Sequence, residues 1–155
     1  MDALPSAYGD AETALRIARI ASSHRRLTGR DLVLGGAGAM LALWEAPQVI
    51  LAHGTEADPL FFFANRAALV RFDTSLHAFL GSPSRFSAEE PLRAERLALF
   101  DRVRRDGFID DYAGVRISAK GRRFRITAAT VWTLIDEQGA VHGQAAAFDR
   151  WEELG

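Results

Sequence analysis

Residues 106–148 hold most of the β-forming sequence of this 155-residue chain, and no other stretch limits the possible folds as strongly. The first apolar run carries Phe108, Ile109, Tyr112, Val115 and Ile117. It stops at Ala119-Lys120-Gly121, where glycine can take the positive φ of a hairpin turn. In the second run Arg123 and Arg125 interleave with Phe124 and Ile126, the period of two of a strand with one wet and one buried face. Beyond Ala128 the alternation fades into the mostly apolar residues 131–135, which implies burial on both faces or a bulge near Ala128-Ala129. Asp136-Glu137-Gln138-Gly139 reads as a turn. The third run contains Gly143, Ala145, Ala146 and Ala147, and side chains this small leave room for a packed helix or a ligand.

The upstream sequence supplies the helices. Asp10 is placed to cap a helix that ends near Thr28, with Gly29 as its stop. Ile17, Ile20, His24 and Leu27 form one stripe on it, while Arg16, Arg19, Arg25 and Arg26 face elsewhere. That stripe lies either on the body of the domain or against a second copy of the chain. Gly35, Gly36 and Gly38 imply a flexible connection, so the expectation is a homodimer with Ile17, Ile20, His24 and Leu27 at its interface. The same glycines do not make a dinucleotide fingerprint, because Leu41 stands where the motif wants Gly or Ala, and the lysine of a phosphate loop is missing.

Two β runs follow, at residues 48–53 and 60–63, separated by a turn that includes Asp58-Pro59. Asn65 is a cap for a short helix through Phe72, Asp73-Thr74 for another through Phe79, and Ser87 with Glu90 for a longer one through Asp106. The apolar face of the longer helix is Leu92, Leu99, Phe100 and Val103. Strands and helices grouped rather than alternating predict an α+β fold, an antiparallel sheet with helices on one face. Residues 1–46 read as a helical extension and 47–155 as the domain.

Few residues offer chemistry. With no cysteine there is no disulfide, no thiolate nucleophile and no flavin–cysteinyl adduct. His24, His53, His77 and His142 are scattered without metal-ligand spacing, although His77 could serve singly as an axial haem ligand. Asp110 and Asp111 are neighbours on a strand and point to opposite faces, so they cannot act as a close acid–base pair; one of them is expected to pair with Arg116 or Arg85. Arg116, Lys120, Arg122, Arg123 and Arg125 make a basic hairpin, read as a solvated sheet edge rather than an anion or nucleic-acid surface. The net charge of -1 supports that choice. No apolar run approaches the roughly 20 residues of a membrane helix, and the N-terminus lacks secretory features, so a cytoplasmic location and no membrane partner are expected.

Seven separated strings, VILAHGTEADPLFF, NRAAL, PSR, RDGFIDDYAGVRIS, GRRFRI, TVW and HGQAAAF, occur in the order found in the MEKHLA domain, and the chain resembles that PAS-related family. They cover about two thirds of the chain, and RRLTGR adds a looser likeness near the N-terminus. The family occurs as small stand-alone bacterial proteins and at the C-terminus of plant homeodomain–leucine zipper proteins. The resemblance implies a PAS-like five-stranded antiparallel sheet with short helices over one face, and a pocket between them. Family members often carry Asn-Tyr in place of Phe62-Phe63 and Asn in place of Thr133, so the implied pocket is more apolar here. Trp132 and Gln144, on the two strands central to such a sheet, are candidates to line it and hold a flat ligand. Phe63, Asn65, Arg85, Tyr112 and Arg116 complete the candidate ligand-binding set. The implied function is a sensory module that binds a small molecule and signals by association. The alternatives are a homodimerisation module without a ligand and, third, a small enzyme. No catalytic residue is assigned, the expectation is that the protein is not an enzyme, and no cofactor is named.

Overall fold

The computed structural model describes residues 4–33, 39–88 and 93–155. The elements run α1 (Ala11–Thr28), α2 (Ala39–Glu45), β1 (Val49–His53), β2 (Phe61–Ala64), α3 (Arg66–Arg71), α4 (Leu76–Phe79), α5 (Arg93–Asp106), β3 (Phe108–Ile117), β4 (Arg123–Ile135), β5 (Val141–Phe148) and β6 (Trp151–Glu153). The sheet is antiparallel in the order β2-β1-β5-β4-β3, and the short β6 adds to β4. Thus the last long strand lies beside the first, in the middle of the sheet, as a PAS-like fold requires. Strand β6 was not anticipated from the sequence. It is held by Glu153, which pairs with the Arg71 guanidinium, and that guanidinium is stacked 3.9 Å from the centroid of the Phe124 ring.

The caps explain most helix ends. Asp10 accepts from the Thr13 amide, and Gly29 ends α1 with φ +76, its N–H donating a hydrogen bond to the Arg25 carbonyl. The Asn65 side chain caps α3 through the Ala68 amide. The cap of α4 is Ser75, two residues beyond the expected Asp73, whose carboxylate is engaged by Arg122 instead. The capping box at Ser87 and Glu90, the face residue Leu92 and the glycines at 35–38 fall wholly or partly outside the described residues.

Each face of the sheet carries its own core. On one, Phe61, Phe72, Leu99, Val103 and Phe124 pack under α3, α4 and α5. On the other, Ile17, Ile20, Leu43, Phe63 and Trp132 pack under α1 and α2. The second core corrects the expectation for the N-terminal stripe. Ile17 and Ile20 are fully buried and His24 is 7% exposed within a single copy of the chain, and half-buried Leu27 packs at the rim of the same core. Specific hydrogen bonds hold α1 down. The Trp132 indole N–H donates to the Ile20 carbonyl, and the Ser23 hydroxyl exchanges bonds with the amide and carbonyl of Ile135. A second copy is therefore not needed to cover these side chains.

Ahead of α1, Tyr8 inserts into the second core, and its hydroxyl both accepts from the Ala64 amide and donates to the Ala64 carbonyl. Burial pushes the Tyr8 phenol up to about 12. His24 stands edge-on to Trp132, 4.8 Å between ring centroids, with Nδ1 bonded to the Arg30 carbonyl and the charges of Arg30 and Asp31 nearby. Burial lowers its pKa. The unfolded chain therefore takes up this proton more readily than the folded one, and the stability contribution is full above about pH 6.5 and declines as pH falls below it. Asp73 and Asp136, held near 2 by Arg122 and His142, lose their contributions only below their ordinary value of 3.8. Urea denaturation at pH 7.5 and 5.0 is expected to show lower stability at pH 5.0 and a smaller loss in His24→Gln. An equal loss in the two proteins would rule out His24 as the origin.

Candidate functional site

Strand β4 decides which side chains share a cavity. Ala128 adopts φ +53, and the β3–β4 register slips beside it, between Tyr112↔Ala129 and Gly114↔Ile126. One extra residue resets the alternation. Phe124 and Ile126 before the bulge therefore lie on the same face as Ala129 and Val131 after it, while Trp132 and Leu134 turn to the other. Thr133 is paired with Gln144, and Trp132 with Ala145. Trp132 and Gln144, expected to line one pocket, sit on opposite sides of the sheet. Trp132 is fully buried against α1.

The face that holds Gln144 also holds a cavity of about 60 Å³ beneath the helices. Its walls include Leu51, Phe61, Phe72, Leu99 and Phe148, with His53 and Ser84 as polar members. Of the seven candidate residues it takes in Gln144, Tyr112 and Arg116. Phe63 belongs to the α1-side core with Trp132. Asn65 is consumed structurally: its side chain accepts from the Ile50 and Ala68 amides and donates to the Leu43 and Gln48 carbonyls. Arg85 lies outside the cavity, its Nε on the Asp58 carboxylate at 3.0 Å. His53 and Ser84 were not singled out as ligand contacts; the available signal was their place within the VILAHGTEADPLFF and PSR strings.

Two polar atoms at this cavity are buried without a hydrogen-bond partner among the described residues, the Tyr112 hydroxyl and Gln144 Oε1. Gln144 Nε2 donates, at 3.5 Å, to the Phe100 carbonyl of α5. The Tyr112 hydroxyl lies against Gly114, where any Cβ would overlap it. Arg116 is 9% exposed; its Nη1 donates to the Val115 carbonyl and its guanidinium lies 5.2 Å from the Tyr112 ring centroid. The cavity is smaller than the roughly 150 Å³ that holds a benzene, so neither a haem nor a flavin ring fits within these walls.

The other candidates resolve separately. His77 is exposed on α4 and does not line the cavity. Asp110 pairs with Arg30 and Asp111 with Arg102, rather than either with Arg116 or Arg85. In the basic hairpin Arg122 meets Asp73 and Arg125 meets Glu152, acids that lie far away in sequence. Among the described residues no His, Cys, Asp and Glu side chains cluster closely enough to hold a metal ion, and no helix is long and apolar enough to cross a membrane.

Comparison with known proteins supplies the family. The MEKHLA domain profile matches residues 14–153. The chain belongs to the MEKHLA domain family. It is 30% identical over 127 residues to the homeobox-leucine zipper protein ATHB-14 of Arabidopsis thaliana, covering 81% of this chain and 15% of that protein. It is 29% identical over 147 residues to ATHB-9 of the same plant, covering 89% and 18%. This MEKHLA domain therefore spans less than a fifth of the curated relatives it matches. Among solved structures, an RNA-binding light-oxygen-voltage receptor superposes with a TM-score of 0.62 at 15% identity, over 77% of this chain and 34% of that one. A PAS domain from Colwellia psychrerythraea superposes at 0.59 and 13% identity, over 74% and 95%. These likenesses establish a PAS-like fold for the MEKHLA domain.

Proposed function

We propose that this MEKHLA domain is a sensory module that takes a small molecule into the cavity between the sheet, α5 and the segment of Ser84 and Ser87 and passes the change on by contact with a partner. The observation that carries the reading is the pair of buried, unpaired polar atoms at one cavity, the Tyr112 hydroxyl and Gln144 Oε1. A buried donor or acceptor left unpaired costs about 1–3 kcal/mol, so a domain selected only for stability gains by replacing it. A ligand that engages both atoms removes the cost. Gln144 also touches the α5 backbone, which gives binding a route to a surface helix.

The test separates binding from stability. Tyr112→Phe and Gln144→Leu are expected to match or exceed the unliganded wild type in urea denaturation, yet to lose the compound that native mass spectrometry detects on freshly purified wild-type protein. If both variants are destabilised by more than about 1 kcal/mol, on the scale of an ordinary hydrogen bond, the two atoms serve folding and the reading fails.

The second reading is association with another copy of the chain. It draws on Leu97 and Val141, 65% and 54% exposed, which flank an open groove between α5 and the β1–β2 turn. Sedimentation velocity of wild type and Leu97→Glu distinguishes the two: a dimer lost in the variant supports association at this groove.

A further inference from the structure

The ligand's chemical class follows from Arg116, if the cavity is a ligand site as proposed above. We infer that the cavity accepts a short aliphatic carboxylate, preferably one bearing a hydroxyl group. Arg116 is 9% exposed, and among the described residues no carboxylate pairs with it. Its recorded partners are one backbone carbonyl and the face of the Tyr112 ring. On the same hairpin Arg122 reaches Asp73 and Arg125 reaches Glu152. A largely buried guanidinium without a counter-charge favours an anion, and its planar fork matches a carboxylate.

Tyr112 adds a donor beside it. Its hydroxyl is buried and unpaired, and its ring lies against the same guanidinium. A carboxylate at Arg116 can accept from both groups. Apart from His53, Ser84 and Ser87 the rest of the wall is apolar, with Leu51, Phe61, Ile126 and Val131 suited to a short alkyl body. Gln144 Oε1, unpaired and acceptor only, asks for a donor on that body, which a hydroxyl supplies. The volume of about 60 Å³ sets the size at a few heavy atoms and excludes an aromatic acid.

Titrations of the full chain with sodium lactate, sodium propionate, sodium benzoate and neutral 1-propanol, followed by protein NMR, test this inference. Wild type should bind lactate more tightly than propionate and show no saturable shift with benzoate. Arg116→Gln should weaken lactate at least tenfold while leaving 1-propanol unchanged, and Gln144→Leu should remove the preference for lactate over propionate. Binding of 1-propanol equal to that of propionate, with no effect of Arg116→Gln, overturns the carboxylate assignment and leaves the sensory reading standing. No saturable shift at cavity residues with any of the four overturns the inference, while the compound seen by native mass spectrometry decides the sensory reading separately.

Discussion

Gly143→Ala is expected to cost the domain roughly 2–6 kcal/mol, combining backbone strain with overpacking. Gly143 has φ +142, a region that L side chains avoid, and a Cβ there would overlap the His53 carbonyl oxygen. The obstacle is backbone on the neighbouring strand, so no rotamer change relieves it. Any relief must separate β5 from β1 at the His53↔Gln144 pair, which also displaces Gln144 from the cavity. Gly121→Ala is the control. That glycine has φ +81 with open space around it, so only the conformational cost of about 1–2 kcal/mol applies. Urea denaturation of both variants decides the matter. Equal losses would mean that the close approach of the strands contributes nothing beyond backbone preference.

Trp132→Ala should be similarly severe, for a different reason. The side chain is fully buried between β4 and α1, and truncating such a residue costs about 3–5 kcal/mol. At roughly 2–4 °C per kcal/mol for a chain of this size, the melting temperature falls by about 6–20 °C. The Ile20 carbonyl also loses the indole N–H that it accepts. Because Trp132 lies across the sheet from the cavity, ligand affinity in the fraction that remains folded should match wild type. A selective loss of affinity at equal folded fraction would place Trp132 in the site after all.

The misplacement of Trp132 shows where sequence pattern stops being informative. Strict alternation from Phe124 and Ile126 puts residue 132 on their face, and one residue at positive φ, Ala128, reverses the parity of everything after it. A bulge near this point is legible from the fading alternation, but its position decides the face, and alanine gives no local sign of it. The β3-β4-β5 succession and most caps were legible because hairpin glycines, Asn65 and Asp10 act locally, whereas the placing of β5 beside β1 came from the family resemblance. Ion pairs were not: Asp73 with Arg122, and Arg30 with Asp110, join residues that only the tertiary fold brings together. The fate of the α1 stripe was ambiguous for the same reason, since an apolar face does not specify what covers it. Of the candidate set, Tyr112, Arg116 and Gln144 line the cavity, whereas Asn65 and Phe63 were drawn in with them because buried structural residues share the composition of pocket walls.

The Tyr8 hydroxyl has a consequence for how the domain should be cut. The Ala64 amide and carbonyl it occupies point away from β1, on the free side of β2, so one phenol takes the place of a pairing strand there. The family match begins at residue 14, beyond both Tyr8 and the Asp10 cap. A protein trimmed to residues 14–153 exposes an edge that the intact chain covers, and two such molecules can join through it. Dimers found in trimmed protein are therefore expected to vanish once residues 1–13 are restored, and the span of sequence similarity is shorter than the unit that folds without an open margin.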